Sequence, residues 1–347
     1  MYRNRSIGVV VLAYNEQDHI ADTILNQPSF VDRIYVVDDC SMDDTWNEIL
    51  AASHADVPPA RETGEETVHT VRSEVTPKGI VHSCPGYVVP IRHHKNRGPG
   101  GATKTGYHLA RTDRMDIIVK IDGDGQMDPE KMTRLLDPII EGRVDYAKGN
   151  RLRSAAVRDS MPTFRFVGNI LLTILTRIAS GYWNVSDPLN GYTAISHRAL
   201  DSISIKDLYE QFGFHSELLV RLNVAGMDVG DVTMSPFYGT EVSSIRYTTF
   251  IPTASMLLLR TFLWRLRIQY FSQRGVIEPS IVIGSITSAL GAIGVIESVR
   301  SRANGELCAP VWTAWSVPLI VLGFFLLLVR GVRRKDGNEA RAVIIDE

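Results

Sequence analysis

The stretch that most restricts this chain is Lys120-Ile121-Asp122-Gly123-Asp124-Gly125-Gln126, which closes the apolar run Ile117-Ile118-Val119. A β-branched run that does not alternate with polar residues reads as a strand buried on both faces of a parallel α/β sheet. It breaks at two glycines that carry two carboxylates and an amide. Ligands of α/β sheets sit at the carboxyl ends of the strands. Two aspartates one residue apart, with a glycine to permit the bend, can face one hard cation together. Gln126 adds a neutral oxygen, and water and phosphate oxygens would complete the shell of Mg²⁺ or Mn²⁺. An isolated D-x-D is also a common polar turn, so the rest of the chain decides its meaning.

Upstream, Ile7 to Leu12 reads as a first buried strand, with Tyr14-Asn15-Glu16 opening a helix to about Leu25. A second strand, Arg33 to Val37, ends in Asp38-Asp39, where a carboxylate can accept from a base imide or a ribose hydroxyl. Ser41 is predicted to cap the following helix, with Asp44 as its capping-box partner. Residues 53 to 88 contain Pro58-Pro59 and Gly64-Glu65-Glu66 without a helical period, and read as a long insertion with room for a hairpin. Order returns at Val88 to Arg92. The glycine-rich turn Asn96-Arg97-Gly98-Pro99-Gly100-Gly101 then leads into a helix, predicting backbone N–H groups free for an anion beside Lys95, Arg97 and Lys104. It has neither Walker nor dinucleotide spacing. His93 and His94, not at a metal-ligand spacing, are predicted to lie on the surface.

Beyond the central stretch, Asp128-Pro129-Glu130 starts a helix with proline at its first position. Asp145 to Arg151 is a further short strand with a basic end. Arg165, Asn169 and Arg177 punctuate an apolar helix, Phe164 to Ala179; its arginines suit either snorkelling near lipid or a phosphate. Asp187 to Tyr192 is a tight turn before the strand Thr193 to Ile195. A helix begins near Phe214, and Val229 to Met234 is a last strand.

Charged residues make up 22% of the 347-residue chain and the net charge is −2, so no global field points to nucleic acid. Cys40, Cys84 and Cys308 lack zinc or disulfide spacing and read as incidental thiols of a reducing compartment. No signal-peptide cleavage pattern is visible, which predicts a cytosolic N-terminal domain. From Phe250 to Tyr270 the chain is amphipathic: Leu259, Phe262, Leu263, Leu266 and Tyr270 share a face with Arg260 and Arg267 at its margin. That pattern suits a bilayer interface, with a core helix under the domain as the lesser alternative. Two candidate spans follow, Ile281 to Val299 and Val311 to Val329, near the ~20 residues a crossing needs. Gly284, Ser288 and Ala292 have small-xxx-small spacing for packing within the hairpin or between subunits of a homo-oligomer. Arginines and Lys335 concentrate outside the hairpin, so both ends are expected inside the cell (plasma) membrane.

The ordered set Ala13-Tyr14-Asn15-Glu16, Asp38-Asp39 with Ser41, Asn96-x-Gly98-x-Gly100, Asp122-x-Asp124-x-Gln126, Gly149-x-Arg151 and Asp187-x-x-x-Gly191 resembles the inverting family 2 glycosyltransferases of GT-A fold. Within them it is similar to the dolichyl- and polyprenyl-phosphate hexose synthases. The resemblance covers about residues 5 to 245. It implies an α/β GT-A nucleotide-sugar domain over 1–245; the amphipathic and apolar patterns beyond it predict juxtamembrane amphipathic helices over 246–276, two transmembrane helices over 277–331 and a cytosolic tail over 332–347. It further implies that Tyr14, Glu16, Asp39, Gly98 and Gly100 cradle the nucleotide sugar with Asp122, and that Asp122, Asp124 and Gln126 hold the divalent cation, Mg²⁺ or Mn²⁺. Arg151 and Arg165 would meet the acceptor phosphate, Asp187 would lie by the donor sugar, and Arg246 would assist the diphosphate. The insertion and Ser243-Ser244-Ile245-Arg246, where related chains often carry lysine, depart from the pattern.

The implied reaction is one inverting displacement from a nucleotide sugar (UDP-glucose or GDP-mannose) onto a polyprenyl or dolichyl phosphate at the bilayer. The acceptor phosphate is already ionised, so it needs no strong base. Two other readings remain at this point. A processive polysaccharide synthase usually has a Gln-x-x-Arg-Trp motif and more spans. A non-catalytic, membrane-tethered nucleotide-sugar-binding scaffold would not need the Asp122/Asp124 pair.

Overall fold

The computed structural model describes residues 1–54, 79–81, 87–151, 163–234, 247–271, 294 and 341–345. The chain divides into two compact units, Met1–Arg265 with Ala340–Glu347, and Leu266–Glu339. The first unit is built on a mixed sheet of order β3-β4-β2-β1-β5-β7-β6-β8-β9. Its strands are β1 (Ile7–Ala13), β2 (Arg33–Asp38), β3 (Gly79–Val81), β4 (Val88–His93), β5 (Ile117–Asp122), β6 (Tyr146–Asn150), β7 (Thr193–Ser196), β8 (Val229–Thr233) and β9 (Ala342–Ile345).

The four strands with the longest apolar runs, β4, β2, β1 and β5, are parallel neighbours. Every residue of β1 is buried, which is why its sequence does not alternate. Register then fixes the site: Leu12 lies opposite Asp122, Ala13 opposite Asp38, and Asp38 opposite Arg92. The polar residues that end these strands therefore emerge at one edge. β7 runs antiparallel between β5 and β6, with Thr193 paired to both Lys120 and Lys148. It enters the sheet from the carboxyl edge, and so it brings the preceding turn, Asp187 to Tyr192, to that edge too.

Helices α1 (Ile20–Leu25), α2 (Thr45–His54), α3 (Gly98–Thr112), α4 (Met132–Ile140), α5 (Thr163–Ser180), α6 (His197–Ser202), α7 (Phe214–Val224) and α8 (Tyr247–Phe271) complete the described elements. Two core clusters lie on the two faces of the sheet, one containing Val9, Ile24, Ile49 and Leu136, the other Val10, Tyr107, Leu200 and Leu218. α3 lies so close to β1 that a Cβ on Gly106 would overlap Val10 Cγ1. α8 packs one side, Ala254, Leu257, Leu258 and Thr261, against the unit and leaves Met256, Leu259 and Leu263 exposed. Arg265 donates to the carbonyl of Ala179 (3.1 Å) at the end of α5, a cation at the negative pole of a helix.

Several local expectations change. α1 starts at Ile20 rather than beside Glu16, because Asn15 takes a left-handed conformation (φ 57°) and Glu16 O accepts from His19 N and Ile20 N in a turn. α2 starts at Thr45, where Asp43 Oδ1 accepts from the Thr45 N–H; Ser41 Oγ instead accepts from Asn15 N at 2.9 Å and ties two strand-end loops together. The region read as an insertion contributes β3, antiparallel to β4; residues 55–78 and 82–86 lie outside those described. Residues 332–347, expected as a tail, include β9, which pairs in parallel with β8 and packs Val343 and Ile345 on the core. Both candidate spans lie outside the described residues apart from Gly294, and no described helix is long and apolar enough to cross a membrane.

Gly106 offers a direct test of the packing of α3. Helix propensity alone would favour Gly106→Ala by about 1 kcal/mol, whereas overpacking a core contact costs about 1–3 kcal/mol. The expected outcome is net destabilisation in urea unfolding; a stabilised variant would contradict the α3–β1 approach.

Candidate functional site

At the carboxyl edge Tyr14 is exposed and Glu16 half-buried, on the loop that leaves β1. Next to it Asp38 is fully buried: its Oδ1 accepts from Ser41 N (2.9 Å), and its Oδ2 lies 3.1 Å from Arg92 Nε. Asp39 is buried as well. Its Oδ1 meets His93 Nδ1 (2.6 Å) and accepts from Arg97 N (2.9 Å), while Oδ2 accepts from Gly98 N (2.7 Å). One carboxylate thus holds the start of α3. His93 Nε2 continues the chain to Thr105 Oγ1 at 2.9 Å.

This alters the expectation for the glycine turn. Gly98 N is bonded to Asp39, Gly101 N donates to Glu210 O (2.9 Å), and Arg97 and Lys104 both pair with the Glu210 carboxylate. The turn is a docking joint, not an open anion cradle. Its glycines are needed for close approach: a Cβ on Gly100 would overlap Tyr209 O, and Gly98 has φ 79°. Burial would raise the Glu210 carboxyl, but Lys104 and Arg97 hold it below its ordinary range. His93, expected on the surface, is buried because Asp39 and Thr105 satisfy both ring nitrogens.

Asp122 ends β5 with its side chain about one-third exposed, and its Oδ1 accepts from Lys120 Nζ. Gly125 turns the chain at φ 69°, and Asp124 Oδ1 accepts from Gln126 N at 3.0 Å. The two carboxylates and the Gln126 amide remain half-exposed at the edge. Gly191 lets Asp122 pack directly against the 187–191 turn, since a Cβ there would overlap Asp122 Oδ2. An all-oxygen donor set at a strand end fits a hard divalent cation. Among the described residues no three His, Cys, Asp or Glu side chains converge on one point, so a bound ion would need further oxygens from elsewhere.

Arg151 leaves β6 and grips Asp187: Nε donates to Oδ2 (2.9 Å), NH2 to Oδ1 (3.3 Å), and the Arg151 backbone N to Oδ2 (3.2 Å). Asp187 is buried with φ 46°, a left-handed position held by these bonds. Burial would raise its carboxyl, but Arg151, with Lys148, holds it below the ordinary range. Behind it Lys148 Nζ donates to Ser186 O and to Asp231 Oδ1, and Asp231 Oδ2 accepts from Asn150. The turn from Asp187 to Gly191 thus has one end on Arg151 and the other against Asp122. The predicted cation ligands and the predicted acceptor arginine share one rigid piece of structure. Arg165 lies in α5 with its side chain outside the described set, and Arg246 lies outside the described residues.

A Glycosyl transferase family 2 profile matches residues 80–204. The UDP-N-acetylglucosamine–dolichyl-phosphate N-acetylglucosaminyltransferase of Methanococcus voltae is 30% identical over 246 residues, 71% of this chain and 90% of that protein. This chain belongs to glycosyl transferase family 2. An uncharacterized protein of Methanocaldococcus jannaschii is 31% identical to this glycosyltransferase, over 71% of the chain and 86% of that protein. The undecaprenyl-phosphate mannosyltransferase of Micrococcus luteus is 26% identical over 42% of the chain and 60% of its own length. Among solved structures, UDP-bound glucosyl-3-phosphoglycerate synthase of Mycobacterium tuberculosis is 20% identical, with a TM-score of 0.48 over 76% of this chain and 80% of that one. The mixed sheet of the family 2 glycosyltransferase, with helices on its two faces, agrees with the α/β class expected from its motifs.

Sequence reasoning passed over three buried groups of this glycosyltransferase, Lys120, Lys148 and Asp231, and the half-buried His215. A lysine inside a β-branched strand was the available signal for the first two. His215, at the start of α7, has a solvent-shielded Nε2 that meets no hydrogen-bond partner among the described residues; burial, then Lys120 and Lys148, push its imidazole well below the usual range. The Asp187 pair has a measurable pH signature. A carboxyl lowered on folding adds stability that is present above its ordinary value of 3.8 and lost as pH falls through the lowered one. The stability gap between the native protein and Asp187→Asn is expected to stay constant from neutral pH down to about that value and shrink only below it, as followed by urea unfolding across pH. Gly191→Ala is expected to push Asp122 aside and lower turnover at least about 100-fold, measured at saturating donor, with the thermal midpoint as the control.

Proposed function

We propose that this glycosyltransferase moves one sugar from a nucleotide-sugar donor to a polyprenyl or dolichyl phosphate. The observation that supports this reading most is the Asp187–Gly191 turn, which couples the Asp122/Asp124 end of β5 to Arg151 at the end of β6. The names of the relatives support the acceptor class. In this reading Tyr14, Glu16 and the Asp38–Asp39 strand end line the nucleotide side. Asp39 acts through the joint it forms with Gly98, and Gly100 through its contact with the 209–211 segment. Asp122, Asp124 and Gln126 would hold Mg²⁺ or Mn²⁺, which neutralises charge on the donor diphosphate. Arg151 faces the acceptor phosphate, with Arg165 and Arg246 assigned as before to acceptor and diphosphate.

The chemistry then needs few groups. An ionised acceptor phosphate oxygen forms a bond to the anomeric carbon, the bond from that carbon to the diphosphate oxygen breaks, and the electron pair leaves on the nucleoside diphosphate. The configuration inverts. No proton has to move, so positioning and charge stabilisation supply the rate. Asp187 orients Arg151 and keeps its fork from swinging, which a bidentate pair does well. Exposed Ile170, Leu171 and Ile174 on α5, with Met256, Leu259 and Leu263 on α8, give apolar surface suited to a lipid-borne acceptor. A membrane hairpin over 277–331 and a cytosolic face for the domain remain part of the proposal. The donor sugar is glucose, mannose or, from the relative's name, N-acetylglucosamine.

A thermal-shift panel of UDP-glucose, GDP-mannose and UDP-N-acetylglucosamine with Mn²⁺ is expected to single out one donor, because a binder stabilises by mass action. With that donor and a polyprenyl phosphate the product carries one sugar. Asp124→Asn is expected to lose at least about 100-fold in turnover without a change in thermal midpoint. Undiminished metal-dependent turnover would remove the cation assignment, and a ladder of longer products would favour a processive synthase.

A further inference from the structure

Lys120 is an unusual neighbour for a cation site. It lies two residues before Asp122 on β5, so both side chains leave the same face of the strand. It is 1% exposed, and its Nζ donates to Asp122 Oδ1 at 2.5 Å. The ring of Phe214 closes over the ammonium, with the centroid 6.0 Å away. The missing side chain of Gly191 makes the approach possible, for a Cβ there would lie 2.6 Å from Nζ. Burying an ammonium is costly unless a counter-charge is in bonding range, and Asp122 is that counter-charge.

This arrangement has a consequence for any ion that Asp122 and Asp124 would share. One of the two carboxylates is already neutralised by a fixed cation, and a divalent ion arriving alone meets that ammonium next to its ligand. Among the described residues no three His, Cys, Asp or Glu side chains converge there to compensate. A diphosphate changes both terms. It brings negative charge against the ammonium, and it brings oxygens to complete the ion's shell.

We propose that Lys120 makes cation loading conditional on the donor: it occupies Asp122 in the free protein, so the ion binds well only together with a nucleoside diphosphate. The proposal rests on the reading that Asp122 and Asp124 hold the cation. Lys120 is here a positioning residue, acting through Asp122.

Mn²⁺ titration of the full-length protein, with free Mn²⁺ followed by electron paramagnetic resonance, tests it with UDP and GDP as probes. In the native protein a saturating nucleoside diphosphate is expected to tighten Mn²⁺ binding at least about tenfold. Lys120→Met, close in size and uncharged, is expected to bind Mn²⁺ alone at least about tenfold tighter than the native protein, and to gain little from nucleotide. Lys120→Arg keeps the charge and should behave as the native protein does. Adding Asp124→Asn to Lys120→Met should abolish the gained binding. The proposal is overturned if Lys120→Met binds Mn²⁺ no tighter, or if the gain survives Asp124→Asn. Should Lys120→Met fail to fold in a thermal melt, the native protein decides alone: Mn²⁺ bound equally tightly with and without nucleotide defeats the proposal. If no protein shows Asp124-dependent Mn²⁺ binding under either condition, the cation site itself is wrong and the proposal falls with it.

Discussion

A buried charge must find a partner, and at the carboxyl edge of this sheet that requirement organises nearly everything else. Asp39 is met by His93 and the start of α3, Asp122 by Lys120, Asp187 by Arg151, and Asp231 by Lys148 and Asn150. All but the Asp122–Lys120 pair, which lies within β5, join elements distant in sequence, so satisfying the charges also sets the geometry. Such pairs add little net stability compared with apolar replacements. Their value is in specifying one arrangement of loops at the edge, which is what a transfer reaction between two bound substrates requires.

The arrangement is also economical in moving parts. β7 enters antiparallel, and its leading turn crosses from β6 to β5. A shift of Asp187 would therefore be felt at Asp122 through Gly191, and the reverse. Interiors packed this tightly respond by switching between discrete positions and not by gradual yielding. Asp122 at the end of β5 and Arg151 at the end of β6 are then held in mutual register by the five residues from Asp187 to Gly191.

Much of this was legible in the chain itself. Non-alternating runs located β1, β2 and β5, and the polar residues that ended them located the edge, because strand termination and ligand binding share one position in an α/β sheet. The ordered motifs then named the family. Local capping logic failed at Ser41 and Asn15, where hydrogen bonds between two loops replaced bonds within each. The glycine turn misled for a related reason: Glu210, more than a hundred residues away, takes Arg97 and Lys104, two of its three basic residues, and one of its N–H groups. No local pattern encodes that. Nor did the tail reveal itself as a strand, since Arg341-Ala342-Val343-Ile344-Ile345 is too short to show a period and gains its structure only by pairing with β8.

That last strand has a topological meaning. The chain leaves the catalytic unit after Arg265 and rejoins it at Ala340, where Val229 N donates to Arg341 O and Arg341 N to Asp228. Residues far apart in the chain therefore complete one sheet: the order of synthesis and the order of the strands part company here, and this rim stays unfinished until residues 342–345 arrive.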